Sequence, residues 1–500
     1  MKLLSLLTAI VASVSAFPLP ATLAAPPDRP NIVLLMGDDH GWDETAYNGH
    51  PYVRTPVLDE IARTGLRLDR FYSGGSSCSP TRATIVTGRH GHRSGVFNPG
   101  YSTRPEEIGI AQLLRDAGYA TAHFGKWHIG PVKAGAPTNP GAMGFDTWLA
   151  HDNFFELNPW FSRDGAPPQQ FKGESSEILV AEAIRYIDKV KDAGKPFFVM
   201  VWFGSPHEPY SGLPADLALY DNMPSTFATK KVRLTSNETG RSTQRVQREV
   251  LRERFAEITA MDRSIGQLRT HLQKTGLRDN TLLWYCGDNG TSADANATMP
   301  FRGEKSKIYE GGIRVPCVVE WPARIAQPRI TAVNAVSTDM LPTLCELAGA
   351  PLPRRPLDGI SLVPLFDGTM TSRPTPICFW NGNPSRLNAK PYIDRKLQEG
   401  TTPLVKLGPD GKPTRNFINY VYPDIQEKDF GGPRAIVDNR FKLVIDGDKA
   451  SGTELFDLRT DPYEKKNILA AHPAEAKQLE LTLHAWQQSV LESLTGADYR

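Results

Sequence analysis

Four short apolar runs in this chain each stop at a cluster of polar side chains, and together they leave few folds open. NIVLLMG (31–37) runs into Asp38 and Asp39, ATAHFG (120–125) into Lys126, Trp127 and His128, PFFVMVWFG (196–204) into Ser205, Pro206, His207 and Glu208, and TLLWYCG (281–287) into Asp288 and Asn289. Each run is mostly apolar with no regular polar alternation, as suits a strand covered on both faces. Helix-period segments lie between and beside them, among them TPVLDEIARTG (55–65), IGIAQLLRDAGY (108–119), SEILVAEAIRYIDKVKDAG (176–194) and ERFAEITAMDRSIGQLRTHLQKTG (253–276). The alternation predicts an α/β fold: a large mixed, mostly parallel sheet sandwiched by helices. Ligands of such sheets bind beyond the carboxyl ends of the strands, so the four polar clusters are expected along one edge.

The texture changes near residue 375. A Pro/Gly-rich stretch that includes LGPDGKPT (407–414) gives way to two strand candidates, RAIVDNRFKLVIDG (434–447) and GTELFDL (452–458), and a closing helix, PAEAKQLELTLHAWQQSVLES (473–493). This predicts a smaller C-terminal α+β domain, an antiparallel sheet plus a helix, over 375–500, packed on a first domain over 28–374. Ahead of both, MKLLSLLTAIVASVSAFPLPATLAAPP has one lysine, an apolar run and small residues for cleavage after Ala16 or Ala24. It reads as a signal peptide over 1–24, too short for a membrane span, and places the mature chain in a secreted or periplasmic setting. A formal charge of +2 without a Lys/Arg-rich run excludes a nucleic-acid footprint.

The segment FYSGGSSCSPTRATIVTGRHGHRSG (71–95) carries the chemistry. Small residues deliver Cys78 to the start of a helix that Ser77 or Ser79 can cap and whose first turn suits Pro80. A helix N-terminus favours negative charge, and Arg82 follows one turn on, on the same face, as a permanent cation for oxyanions. Asp38, Asp39, Asp288 and Asn289 offer oxygen ligands only, which fits Ca²⁺ or Mg²⁺ and not zinc. Lys126 and His128, two apart, point the same way on an extended segment. His207 past a buried strand suits a general acid whose ordinary pKa lies near working pH.

Cys78, Pro80 and Arg82, extended by Ser79, Thr81 and Thr87-Gly88-Arg89, form a CxPxR motif that resembles the signature of the type I sulfatases, the formylglycine-dependent, arylsulfatase-like branch of the alkaline phosphatase superfamily. GKWHIG (125–130), FRGEKSKIYEGGIRVP (301–316) and ELFDLRTDPYEKKNI (454–468) also resemble that family's motifs, so the likeness runs from about residue 29 to 470. The resemblance implies that a formylglycine-generating maturation enzyme oxidises Cys78 to an aldehyde whose hydrate attacks sulfur. It implies a cation, Ca²⁺ first and Mg²⁺ second, on Asp38, Asp39, Cys78, Asp288 and Asn289. By the same resemblance Lys126 and Lys305 bind the sulfate, His128 handles the second hydroxyl of the hydrate, and His207 protonates the leaving alcohol. Arg82, with the two lysines, neutralises the sulfate oxygens. Glu208 is a second candidate acid, Lys307 could exchange with Lys305, Gly311 and Gly312 serve backbone geometry, and Arg314 is structural.

The reading is a sulfuric ester hydrolase acting on a small-molecule or saccharide sulfate ester, aryl or carbohydrate. The alternatives are a phosphonate or phosphodiester hydrolase of the same superfamily, and a non-catalytic sulfoglycan-binding protein should Cys78 stay unmodified. LAHDNFFELNPWFSRDG (149–165) is either a sugar site, with His151 and Asp152 as candidates, or a surface loop. Cys286, Cys317, Cys345 and Cys378 are expected as inert thiols or as one or two disulfides. Sequons occur at Asn237, Asn289 and Asn296, and a glycan at Asn289 is incompatible with metal ligation.

Overall fold

The computed structural model describes residues 29–235, 241–382, 390–403, 416–447 and 452–499. The expected signal peptide, the Asn237 sequon and LGPDGKPT lie outside the described residues. Ten strands form the main sheet: β1 (Asn31–Gly37), β2 (Leu66–Leu68), β3 (Ala120–Lys126), β4 (Thr147–His151), β5 (Trp160–Arg163), β6 (Gln169–Gln170), β7 (Phe197–Trp202), β8 (Thr281–Gly287), β9 (Cys317–Glu320) and β10 (Arg329–Thr331). Their order is β10-β2-β9-β8-β1-β7-β3-β4-β5-β6. The four apolar runs with polar ends are therefore neighbours, β8, β1, β7 and β3. All are parallel, with Gly37 opposite Gly287, and Met36 and Gly125 both opposite Trp202. Their carboxyl ends stand level, which delivers the polar clusters to one rim.

Alternation along the strands sorts their side chains into two cores. Ile32, Leu34, Met36, Phe198, Met200 and Trp284 pack on one face beneath the helices Cys78–Thr87, Ile110–Asp116 and Met340–Ala348. Val33, Leu35, Val199, Val201 and Leu283 pack on the other beneath Pro56–Thr64, Ser175–Val190 and Gln247–Lys274. Each such side chain contributes roughly 1.5–3 kcal/mol, so a one-residue slip of β1 would exchange its two faces and misplace Asp38 and Asp39. Gly125 sits at φ 106, where a Cβ would meet the Trp202 carbonyl at 1.9 Å. Only glycine lets the chain turn there into Lys126.

The sheet is mixed because β9 enters antiparallel between β8 and β2, and because at the far edge β5 runs antiparallel to β4 and β6. The second sheet, antiparallel in the order β11 (Ile377–Trp380), β12 (Arg434–Val437), β13 (Phe441–Ile445), β14 (Thr453–Asp457), carries the helix Pro473–Leu494 on one face. Cys286 and Cys317 face each other across β8 and β9, yet all five cysteines are free thiols, so of the two expectations for Cys286, Cys317, Cys345 and Cys378 it is the thiols that hold. The helix Pro473–Leu494 is tied to the main body by Arg93. Its guanidinium grips Asp358 through Nε and Nη2, both at 2.8 Å, and donates through Nη1 to the Ser489 carbonyl and the hydroxyls of Ser489 and Ser493.

Candidate active site

Cys78 opens its helix as expected, with Ser77 at the N-cap in an extended conformation, φ −152° and ψ 164°. The capping expectation is otherwise corrected: Ser77 makes no side-chain cap bond, and the Ser79 hydroxyl donates to the His128 carbonyl at 2.6 Å. Ser79 thus staples the start of the helix to the end of β3. Cys78 is 1% exposed, with its Sγ 3.7 Å from Asp39 Oδ1. Burial, and next the Asp38 charge, push its thiol well above the usual range, so the unmodified group is a protonated thiol.

Around it stand the side chains of the other strand ends. Lys126 Nζ donates to Asp38 Oδ2 at 2.6 Å, and Lys305 Nζ to Asp39 Oδ2 at 2.7 Å. Arg82 Nη2 donates to Asp288 Oδ2 at 2.9 Å and lies 3.3 Å from Asp38 Oδ1, while its Nη1 reaches the Lys126 carbonyl. The guanidinium is fully buried over the Trp202 ring. It braces two carboxylates from behind, where the sequence expectation had it reaching ester oxygens. The Asn289 amide donates to Asp39 Oδ1 at 2.8 Å, and the Asp39 backbone to Asp288 Oδ1 at 2.8 Å. Asn289 is fully buried, which excludes a glycan there, and the half-buried Asn296 amide donates to Glu304.

Burial alone would raise every one of these carboxyls, and the neighbours split them apart. Lys126 holds Asp38 well below the usual range, Lys305 and His207 hold Asp39 at about 2, and Asp288, facing Asp38 as well, is pushed up to about 8. Asp39 and His128 both hold φ of 60°, left-handed for non-glycine residues. Such strain costs about 1–3 kcal/mol each and survives where the surroundings overdetermine it. His207 presents Nε2 to Lys305 Nζ at 3.3 Å and to Asp39 Oδ2 at 3.6 Å, with Nδ1 on the Glu208 carbonyl. The expectation that it titrates near its ordinary value is corrected: burial drives it down to about 4, against the pull of Asp39. The His128 ring lies beside Phe417, 6.4 Å between centroids. Lys307 is exposed, so Lys305 is the lysine at the rim, and Arg314 donates to the Asp69 carbonyl and lies over Phe301, a structural placement.

Residues 30–350, a span that includes every rim residue named above, match the family model described as Sulfatase. The chain belongs to the sulfatase family. Family relatives include the ulvan-active sulfatase of Formosa agariphila, 30% identical over 338 residues, a match that covers 67% of this chain and 64% of that one. Human arylsulfatase A is 32% identical over 396 residues, 72% of each chain. Among solved structures, Ps i-CgsB in complex with k-i-k-neocarrahexaose superposes with a TM-score of 0.72 at 21% identity, covering 92% of this chain and 93% of that one, which shows the shared fold.

Sulfatases normally use a metal ion, and the donor set here fits one. The ligand atoms of Asp38, Asp39, Cys78 and His207 lie within 4.8 Å of one another. Asp38 Oδ1 and Asn289 Oδ1, both buried, accept no hydrogen bond from the described residues. Buried oxygens left without donors are costly unless a cation completes them.

The sequence reading missed the sulfatase's inner brace. Arg254, fully buried on the helix Gln247–Lys274, binds Glu44 with Nε and Nη2 at 2.5 and 2.6 Å. It also donates to the Asp39 carbonyl at 2.6 Å and to the Pro206 carbonyl. One guanidinium therefore clamps the loop bearing the acidic pair to the loop bearing His207. A signal existed: Val250, Leu251, Arg254, Phe255 and Ile258 form one helical stripe, and an arginine within an apolar stripe is a buried arginine that needs partners. In the 149–165 segment, Asp152 is buried and accepts from the backbones of Val132, Thr401 and Thr402 and from the Thr402 hydroxyl. It holds a loop and is not free for a sugar.

Proposed function

We propose that this chain is a sulfuric ester hydrolase whose nucleophile is made from Cys78, with residues 28–374 carrying the chemistry and 375–500 forming a smaller subdomain. The observation that supports it most is the convergence of Cys78 with Asp38, Asp39, Lys126, His207 and Lys305 at one buried rim. Asp38, Asp39, Asp288 and Asn289 would hold Ca²⁺, which when bound supplies fixed positive charge at the nucleophile and the ester oxygens. Formylglycine at position 78 supplies, as its hydrate, a hydroxyl that attacks sulfur and a second hydroxyl on the same carbon.

The chain's own groups do the rest. Lys126 Nζ and Lys305 Nζ, already at the rim, neutralise sulfate oxygens, a preorganised charge of the kind that usually dominates catalysis. Asp38 and Asp39, and Asp288 once a dication keeps it ionised, balance Lys126, Lys305 and Arg82, so a bound dication would leave an excess of positive charge for an anionic ester. Arg82 holds Asp288 and Asp38 in place. His207, protonated at Nε2 once the ester's negative charge lies beside it, gives that proton to the departing alcohol. His128 stays in the reading as the base for the second hydroxyl, since Ser79 ties its backbone to the residue after Cys78. Among the described residues no helix is long and apolar enough to cross a membrane.

The test is Cys78→Ala against 4-nitrophenyl sulfate, after maturation in a host that makes formylglycine. The variant is expected to fold and to turn over nothing. Retained hydrolysis, or faster cleavage of a matched phosphodiester by the parent, would overturn the proposal.

A further inference from the structure

Lys305 reaches the rim from a loop and not from a strand end, so its place relative to Cys78 depends on what holds that loop. On one side its backbone N–H donates to the Thr291 carbonyl at 3.0 Å, just past Asp288 and Asn289. On the other, Ser306 is exposed and holds φ 71°, left-handed for a non-glycine residue. The Ser306 N–H donates to the Ser76 carbonyl at 2.7 Å, two residues before Cys78. The nucleophile segment and the lysine loop meet there.

The smaller subdomain closes that meeting point. Asn381, half-buried, directly follows the edge strand β11. Its Oδ1 accepts from the Ser76 hydroxyl at 3.0 Å, and its Nδ2 donates to the Ser306 carbonyl at 3.1 Å. A carbonyl can only accept, so the Ser306 contact fixes which way the amide faces and leaves Oδ1 for Ser76. Asn381 is itself anchored on both sides. Its N–H donates to the Pro433 carbonyl at 2.8 Å, which extends the β11–β12 pairing by one residue, and His92 Nε2 donates to the Gly382 carbonyl at 2.5 Å. One amide from the subdomain therefore bridges the segments that bear Cys78 and Lys305, and the amide, hydroxyl and carbonyl of the bridge do not titrate.

Building on the sulfatase reading, we propose that Asn381 is a positioning residue, which holds Ser306 in its left-handed conformation and so sets Lys305 Nζ against the nucleophile made from Cys78. Lys305 neutralises a sulfate oxygen while position 78 attacks the sulfur, so their relative placement matters most in the transition state. Without the amide, water hydrates the exposed Ser306, its backbone relaxes, and Lys305 moves with it. The smaller subdomain in this way acts on the reaction without touching the ester.

The experiment uses the matured full chain and 4-nitrophenyl sulfate. Asn381→Ala is expected to lower kcat about tenfold with KM changed less than about twofold, and to leave the pH profile unshifted and the thermal melt close to the parent's. Ser306→Gly, added to Asn381→Ala, decides the cause. Glycine takes positive φ without strain, so the loop keeps its course without the amide and kcat should return to within about threefold of the parent. Ser76→Ala deletes one arm of the bridge and carries the test alone should Asn381→Ala not fold. It is expected to lower kcat about threefold in the parent and to add nothing in Asn381→Ala. An unchanged kcat in Asn381→Ala or in Ser76→Ala, a loss that Ser306→Gly does not relieve, or additive losses would overturn the positioning role and leave the sulfatase reading intact. No turnover by the matured parent would overturn that reading and this role with it.

Discussion

Two buried charge clusters in this molecule use the same ingredients to opposite ends. At the foot of the C-terminal helix, Arg93 and Asp358 close on each other. Asp358 Oδ1 takes Arg93 Nη2 and Trp486 Nε1, each at 2.8 Å, and Oδ2 takes Arg93 Nε and the His90 backbone, at 2.8 and 2.6 Å. Both carboxylate oxygens of Asp358 are satisfied, each by two donors. At the rim of the main sheet three acidic side chains and three cations interlock around Cys78, but Asn289 Oδ1 accepts no hydrogen bond from the described residues and Asp38 Oδ1 has only the Arg82 guanidinium, 3.3 Å away. A closed cluster specifies how two parts of a fold meet, and an open one marks where a ligand belongs.

The comparison breaks first, and hardest, at Cys78. Cys78→Ala should reduce sulfate-ester turnover to background while the thermal melt stays close to that of the parent, because this small side chain adds little to the packing. Arg93→Met should do the reverse. Leaving Asp358 buried and unpaired is expected to cost roughly 3–5 kcal/mol in denaturant unfolding, with turnover per folded molecule retained. That cost has a pH signature. Burial would raise the Asp358 carboxyl, but Arg93 holds it below its unfolded value. The pair's contribution is therefore fully present above about pH 4 and is lost as the pH falls through the folded pKa, where parent and variant should converge.

Third in size, Ca²⁺ at a hundred times its dissociation constant should raise parent stability by about 2.7 kcal/mol. Asp288→Asn should lose most of that rise and Arg93→Met none of it, as read by calorimetric melts. The smallest effect sharpens the boundary between the two kinds of cluster. Arg254 is closed onto Glu44 yet touches the open site through the Asp39 and Pro206 carbonyls. Arg254→Lys keeps the charge but loses the fork, and is expected to lower kcat about tenfold, near 1.4 kcal/mol, with little change in KM.

How much of this was legible beforehand follows from how local each signal is. The level strand ends, and so the meeting of Asp38, Lys126, His207 and Asp288, could be read because short, mostly apolar runs between helical segments mean strands covered on both sides, and such strands are parallel neighbours. The start of the helix at Cys78 was legible from its small residues and Pro80. The antiparallel entry of β9 was not, since a four-residue apolar run reads the same in either direction. Neither was the placement of Arg82, because one guanidinium suits a substrate oxyanion and a buried Asp288 equally well. Asp152 resembled a sugar ligand only because Thr401 and Thr402, which occupy it, lie far along the chain. The lowered pKa of His207 arises from burial, which residue type does not report.

The central claim is that the open cluster works through a nucleophile derived from Cys78. The most direct measurement is the mass of the peptide containing Cys78, taken with 4-nitrophenyl sulfate turnover on the same preparations at graded extents of maturation. The account predicts that turnover rises in proportion to the fraction carrying the thiol-to-aldehyde mass loss and is absent without it. Full turnover by protein whose Cys78 remains a thiol would contradict it.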